Sequence, residues 1–438
     1  MTLSWIRPAD LVEHELRELE ETGFTVDDER SRWNAAIDPE QRGSLAESLL
    51  LELSERTRAS LSTADEPTGL EEILAAAGRA TSAHSAPVPR ESVLAERIRA
   101  GWFGRAAGCL LGKPVEKIQR EGIREILDSN GSWPLSDYIT EVGIPADLLR
   151  KYPWNKHSGR ESLRENIVCM AEDDDLNYTM LNLFVLESAG RDFTTGHVAG
   201  AWLSLVPVLS TFTAERVAYR NLLGGIVPPA TASHRNPYRE WIGAQIRGDV
   251  FGWICPGKPE DAARHAYRDA SLSHVRNGIY GEMFVAAMVA AACAVNDPAE
   301  VIRAGLRVIP PGSRLAQAVR FAMGLKESTW EGAVDRLYER FGRHHWVHSI
   351  NNAALVTAAL VYGNGDYGRS ICNVVMGGWD TDSNGATVGS VAGTMLGKVP
   401  DPWTAPLNDT VRSSLKGFDR SSIGQLAERT TRFAVGPR

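Results

Sequence analysis

The sequence predicts an all-α protein: one large helical domain preceded by a small helical extension. Three observations carry this. Long proline-free segments place apolar residues at helical spacing, alternation at period two is scarce, and two segments repeat glycine at every third or fourth position.

In the first ninety residues, Leu11, Leu16 and Leu19 fit one helix, and Leu45, Leu49, Leu50 and Leu53 repeat the pattern. The stretch TSAHSAPVPRES (81–92) cannot continue a helix, and it divides an extension, 1–90, from a main domain, 91–438. Ser92 offers an N-cap for a helix running from Val93 to Leu111. Further helices are predicted over Leu176–Ser188, Gly196–Leu209, Asp261–Leu272, Gly281–Val295, Leu315–Met323, Trp330–Phe341, Ile350–Tyr362 and Asn384–Leu396. Gly101, Gly104, Gly108 and Gly112 share one face of the first of these helices, and Gly385, Gly389, Gly393 and Gly397 share one face of the last. Each interior glycine costs about 1 kcal/mol relative to alanine. Close backbone approach at the centre of the domain accounts for eight of them.

With 43% hydrophobic and 23% charged residues, the 438-residue chain has material for a sizeable core. A net charge of -8 argues against nucleic acid as partner, because neutralising phosphates needs a clustered positive face. Cys109, Cys169, Cys255, Cys293 and Cys372 show no CxxC spacing and read as small buried hydrophobes. The start, MTLSWIRPADLVEHELRELEE, has no apolar core of a signal peptide, and the apolar stretch Met283–Val295 is too short to span a bilayer. No membrane partner is expected, and the expected location is cytoplasmic.

Two acidic clusters stand out. Glu172-Asp173-Asp174-Asp175 leads directly into an apolar helix, and Gly377-Gly378-Trp379-Asp380-Thr381-Asp382-Ser383-Asn384 leads into the second glycine-striped one. Acids at a helix start gain roughly 0.3–1 kcal/mol each from the dipole, which explains one or two of them but not four in a row. Hard divalent cations relieve the repulsion: Mg2+ takes oxygen ligands, and two ions can share carboxylates. No histidine or cysteine spacing suggests zinc.

These clusters, with the first glycine helix, resemble the ADP-ribosylglycohydrolase family. The family's opening G-x-A-x-G-x-x-x-G helix is similar to Gly104-Arg-Ala-Ala-Gly108-Cys-Leu-Leu-Gly112-Lys-Pro114-Val-Glu116. Its Thr-Asp-Asp-Thr block corresponds to Glu172–Asp175, with both threonines replaced by acids. Its closing G-G-D-T-D-T/S-N motif corresponds to Gly377–Asn384 with Trp379 inserted, and its serine/threonine-histidine loop resembles Ser271–Gly281. The resemblance spans residues 92 to about 400. It implies an orthogonal helical bundle with a dinuclear metal site holding two Mg2+ ions, with Mn2+ or Ca2+ able to substitute. Asp173, Asp174, Asp380 and Asp382 would be ligands, joined by Ser383 and by Glu172 or Asp175. Glu116 would bind metal or contact the ribose.

His274, Asn277, Gly278 and Tyr280 of the histidine loop, together with Trp379 and Asn352, are candidate substrate-binding residues. Each also has a simpler structural reading, as a helix cap, a turn or part of the core. His344, His345 and His348 form a surface or pocket-rim cluster. The implied reaction is hydrolysis of the C1 N- or O-glycosidic bond of an ADP-ribosyl or related ribosyl substrate, through an oxocarbenium-like transition state. Glu116 or Asp174 would take the water's proton, and segments 113–165 and 210–260 would wall the pocket. Two alternatives stand beside it: hydrolysis of a free NAD-derived or nucleoside-like metabolite, and a non-catalytic ADP-ribose-binding or structural role. No candidate ligand precedes Glu116, so the extension is expected to be dispensable for the chemistry.

Overall fold

Glycine determines how the centre of this molecule is built. A computed structural model describes residues 3–78 and 87–436, so residues 81–86 of the boundary stretch lie outside the described residues. The helices Glu91–Gly112 and Thr381–Leu396 pack backbone to backbone. A Cβ built on Gly104 or Gly108 would come within 3.0 Å of the carbonyl oxygen of Gly389 or Gly385, and the relation is reciprocal. Gly112 meets the Thr381 carbonyl and Gly393 that of Ala100 in the same way. Matching four-residue steps on both helices therefore fix their register. Thr381 Oγ1 donates to the Gly112 carbonyl at 2.8 Å, and the Tyr367 hydroxyl donates to that of Gly104 at 2.9 Å.

Around this pair the architecture is all-α. Among the described residues, the strands are limited to Thr410–Val411 and Ser421–Ser422, paired antiparallel. The apolar stretch at Met283 belongs to Arg276–Ala292, a helix buried at every position. No described helix is long and apolar enough to cross a membrane. Trp330–Phe341 keeps its predicted bounds, and the first glycine helix starts at Glu91, with no side-chain cap, rather than behind Ser92. The segments read as pocket walls contain helices of their own, at Arg120–Ser129, Ala146–Lys151 and Thr213–Leu223. These are short, and packing of their apolar faces adds the stability that so few turns lack on their own. Cys169 is half-buried, unlike the other four cysteines, which are buried as expected.

The extension forms the helices Pro8–Glu21, Asp27–Ala35, Pro39–Glu52, Ser54–Ser60 and Leu70–Ala76. Its leucines Leu11, Leu16, Leu19, Leu49 and Leu53 share one apolar cluster with Ala214, Val217, Tyr238 and Trp241 of the main domain. Buried ion pairs join the two parts: Arg239 to Glu15 at 2.7 Å, Arg276 to Glu18 at 3.4 Å and Arg314 to Glu66 at 2.8 Å. The Tyr280 hydroxyl donates to the Pro67 carbonyl. The extension therefore completes the core of the main domain.

Two outcomes follow from this packing. Gly108→Ala should destabilise the fold by about 1–3 kcal/mol or more through overpacking. Gly200→Ala, at an exposed helical position with open space, should stabilise it by about 0.5–1 kcal/mol, and urea denaturation of the two variants checks the contrast. A chain beginning at Pro87 should lose its fixed tertiary packing, because breaking a buried ion pair costs roughly 3–5 kcal/mol and at least three are broken. A native near-ultraviolet circular dichroism spectrum from that chain would show the extension to be independent of the core.

Candidate metal centre and cavity

The two acidic clusters converge where the glycine helices end. Asp173 is extended (φ -157°, ψ 145°) and caps the helix Asp174–Ala189 by accepting the Asp175 N–H at 2.9 Å. On the other side, Gly378 and Trp379 take positive φ, 80° and 56°. That is a costly conformation for a tryptophan, held here by stacking on Tyr338 with ring centres 4.4 Å apart. The chain then delivers Asp380, whose N–H donates to Asn352 Oδ1 at 3.3 Å. Asn352 is itself anchored, donating to the carbonyls of Trp346 and His348 at 2.8 Å each. After Gly112 a 3-10 turn, Lys113–Val115, presents Lys113 and Glu116 to the same space.

Ligand oxygens of Glu116, Asp380 and Asp382 lie within 4.8 Å of one another. Asp382 is 3% exposed, and its Oδ1 has no hydrogen-bond partner. Burial, and next to it Asp382, pushes the Glu116 carboxyl up. Burial and Asp173 hold Asp174 well above the carboxylate range, and burial and Asp382 do the same to Asp380. Oxygen donors that repel one another and leave a buried oxygen unsatisfied suit a hard divalent cation. Glu116, Asp380, Asp382 and the adjacent Asp174 are the residues able to hold it.

Other acids of the resemblance are engaged elsewhere. Asp175 Oδ1 lies 3.3 Å from Arg105, and its Oδ2 accepts from Ser383 Oγ at 3.0 Å. Glu172 accepts from Asn177 at 2.8 Å.

Above the acids lies a cavity of about 250 Å³. Glu116, Asp174, Asp380, Asp382 and Ser383 line it, with Lys113 among them. Aromatic rings line it too, including Trp5, His14, His157, Phe212, Trp241, His345 and Trp346. Trp241 and His345 stack with centres 4.1 Å apart. Both expected wall segments contribute, and so does the extension, through Trp5 and His14, although no acid of the centre precedes Glu116.

The structure does not bring His274, Asn277, Gly278, Tyr280 or Trp379 to the cavity surface. His274 is fully buried with Nδ1 2.8 Å from Ser273 Oγ, and Asn277 bridges Glu240 and the Leu315 N–H. Gly278 permits close approach of the Arg239 carbonyl. Asn352 lies behind Asp380 as a positioning residue. Sequence reasoning missed Lys113, although it stands inside the quoted motif, and it missed Trp5, His14, Phe212 and Trp241, which carry no local signal.

A family model for ADP-ribosylglycohydrolase matches residues 90–436. The chain belongs to the ADP-ribosylglycohydrolase family. An uncharacterized protein of Archaeoglobus fulgidus is 24% identical over 324 residues, covering 72% of this chain and 92% of its own. A solved structure described as an ADP-ribosylglycohydrolase-related protein complex aligns with a TM-score of 0.48 at 17% identity, covering 78% of this chain and all of its own. Family membership accounts for the all-α fold and for a hydrolase-type activity in general terms.

Carboxyls with raised pKa bind protons more tightly in the folded state, so they contribute stability at low pH that is lost as pH rises above the ordinary carboxylate range. In EDTA the melting temperature should therefore fall between about pH 5 and about pH 8, and less steeply for Asp380→Asn. Mg2+ at ~100 times its dissociation constant should add about 2.7 kcal/mol to the wild type only. Identical pH slopes for the two proteins would show that Asp380 does not feel the other acids.

Proposed function

We propose that this ADP-ribosylglycohydrolase-family protein is a divalent-cation-dependent glycohydrolase that cleaves the C1 glycosidic bond of a ribosyl compound. One observation carries the reading: carboxylates and aromatic rings line a single cavity. A ribose with vicinal hydroxyls suits the carboxylates and a cation held by them, and the planar group attached at C1 suits the rings, where stacking adds about 0.5–1.5 kcal/mol beyond burial. A bound Mg2+ supplies a grip on sugar hydroxyls and polarises oxygen.

The chain's own groups supply the rest. Asp174 lines the cavity, and burial and Asp173 raise its pKa, so once a bound cation has drawn off its proton it would be a base strong enough to take the proton of the attacking water. Glu116 is clamped by Lys113 at 3.0 Å and by Asn155, a placement suited to orienting the ribose. The surrounding acids would stabilise positive charge developing at C1, preorganised in a cavity that Trp5 and Trp241 also line.

The size of the cavity favours a free, nucleoside-sized or NAD-derived substrate over an ADP-ribosylated protein. At about 250 Å³ it lies below the roughly 300–1,000 Å³ of pockets for drug-sized ligands, and Trp5 and His14 take part of the space along its lining. Nucleosides, NAD, ADP-ribosyl-arginine and ADP-ribosyl-serine should be compared with Mg2+ and with EDTA. Expected is Mg2+-dependent release of ribose or a ribosyl product, fastest for the smaller substrates. Glu116→Gln and Asp174→Asn should each slow it by about 10²–10⁴-fold with the fold retained. Binding without turnover of any of the four would favour a non-catalytic ligand-binding role.

A further inference from the structure

The resemblance implies two ions, yet a lysine stands in the middle of the implied ligand set. Lys113 Nζ lies 2.8 Å from Asp382 Oδ2 and 3.0 Å from Glu116 Oε2, and it also pairs with Asp173. Its side chain is 7% exposed. The three carboxylates come from three separate segments, and the ammonium joins the first acidic cluster to the second. A second divalent ion shared by Asp173 and Asp382 would need the same space.

Two further observations agree. Two of the four acids of the first cluster are committed to protein groups, Asp175 to Arg105 and Ser383, and Glu172 to Asn177, and a third, Asp173, is paired with Lys113, which leaves Asp174 alone for an ion. Asp382 is divided between two partners' worth of space, with Oδ2 on the ammonium and the buried Oδ1 unpartnered. The lysine backbone is also held firmly. It follows Gly112, whose contact with the Thr381 carbonyl sets the spacing between the 3-10 turn and the Asp380–Asp382 segment.

We infer that this centre takes one divalent cation, on the side of Glu116, Asp380 and the free oxygen of Asp382, and that the Lys113 ammonium occupies the place of a second. The inference rests on the cation-dependent reading above and deepens it. A fixed ammonium offers hydrogen bonds but no vacant coordination position. One ion alone then contacts the substrate, and Lys113 acts as a positioning residue that holds Glu116 and Asp382 in place.

Mn2+ binding to the full chain, followed by electron paramagnetic resonance and elemental analysis, tests this without any assay of activity. Expected is one Mn2+ per chain with the six-line spectrum of an isolated ion. Lys113→Ala should raise the stoichiometry to two and broaden the spectrum through coupling between neighbouring ions, and Lys113→Arg should keep it at one. Two coupled ions in the wild type would overturn the inference and leave the cation-dependent function standing. No bound Mn2+ at all would overturn both. A single ion in a folded Lys113→Ala chain would show that the lysine is not what excludes the second, and the wild-type stoichiometry decides the matter if that variant does not fold.

Discussion

Everything at the centre depends on the approach of two helix backbones. Side chains normally hold helix axes 8–10 Å apart. The reciprocal contacts of Gly104 with Gly389 and of Gly108 with Gly385 remove that spacer. The helix ends are thereby forced together, with Gly112 against Thr381. Lys113 and Glu116 leave one helix where Asp380 and Asp382 enter the other. Repelling carboxylates would not collect by themselves, and the helix pair holds them together.

Charge is the second constraint, and it is met differently at two places. At the seam with the extension, Glu15, Glu18 and Glu66 are paired with Arg239, Arg276 and Arg314. At the centre the acids outnumber their partners, Lys113 alone serves three of them, and Asp382 keeps an oxygen unpaired. The first arrangement is a structural joint, since buried ion pairs fix geometry even where they add little stability. The second is the candidate site, because its acids exceed the positive charge that Lys113 supplies, and protons or a cation would neutralise the rest. The paired seam also seats Trp5 and His14 in the cavity wall, so a segment without chemistry of its own shapes what the site can admit.

Much of the fold was legible in the sequence, for identifiable reasons. The glycine steps in Glu91–Gly112 and Thr381–Leu396 are a one-dimensional record of close packing, because nothing else justifies their cost. Asp173, Asp174, Asp380 and Asp382 were legible because consecutive acids before apolar helices contradict simple solvation. The helix Thr213–Leu223 was not, although Ala214, Val217, Ala218 and Asn221 bury one helical face, because the pattern runs for only about three turns between proline-bounded loops. His274 and Asn277 stood out as polar residues of a motif-like loop, but a buried polar residue that bonds a backbone looks the same in sequence as one that awaits a ligand.

The sequence by itself therefore determined the helical class, the close approach of each glycine face to a neighbour and the two acidic clusters as candidates, since periodicity, glycine cost and charge repulsion are local properties. The tertiary structure alone decided that the two glycine faces meet each other, that Lys113 stands between the clusters, that Asp175 is bound to Arg105 and Ser383, and that Trp5 and His14 line the cavity. Each depends on where segments far apart in the chain come to rest. Lys113 meets Asp382 across 269 positions, and no local pattern encodes a contact of that range.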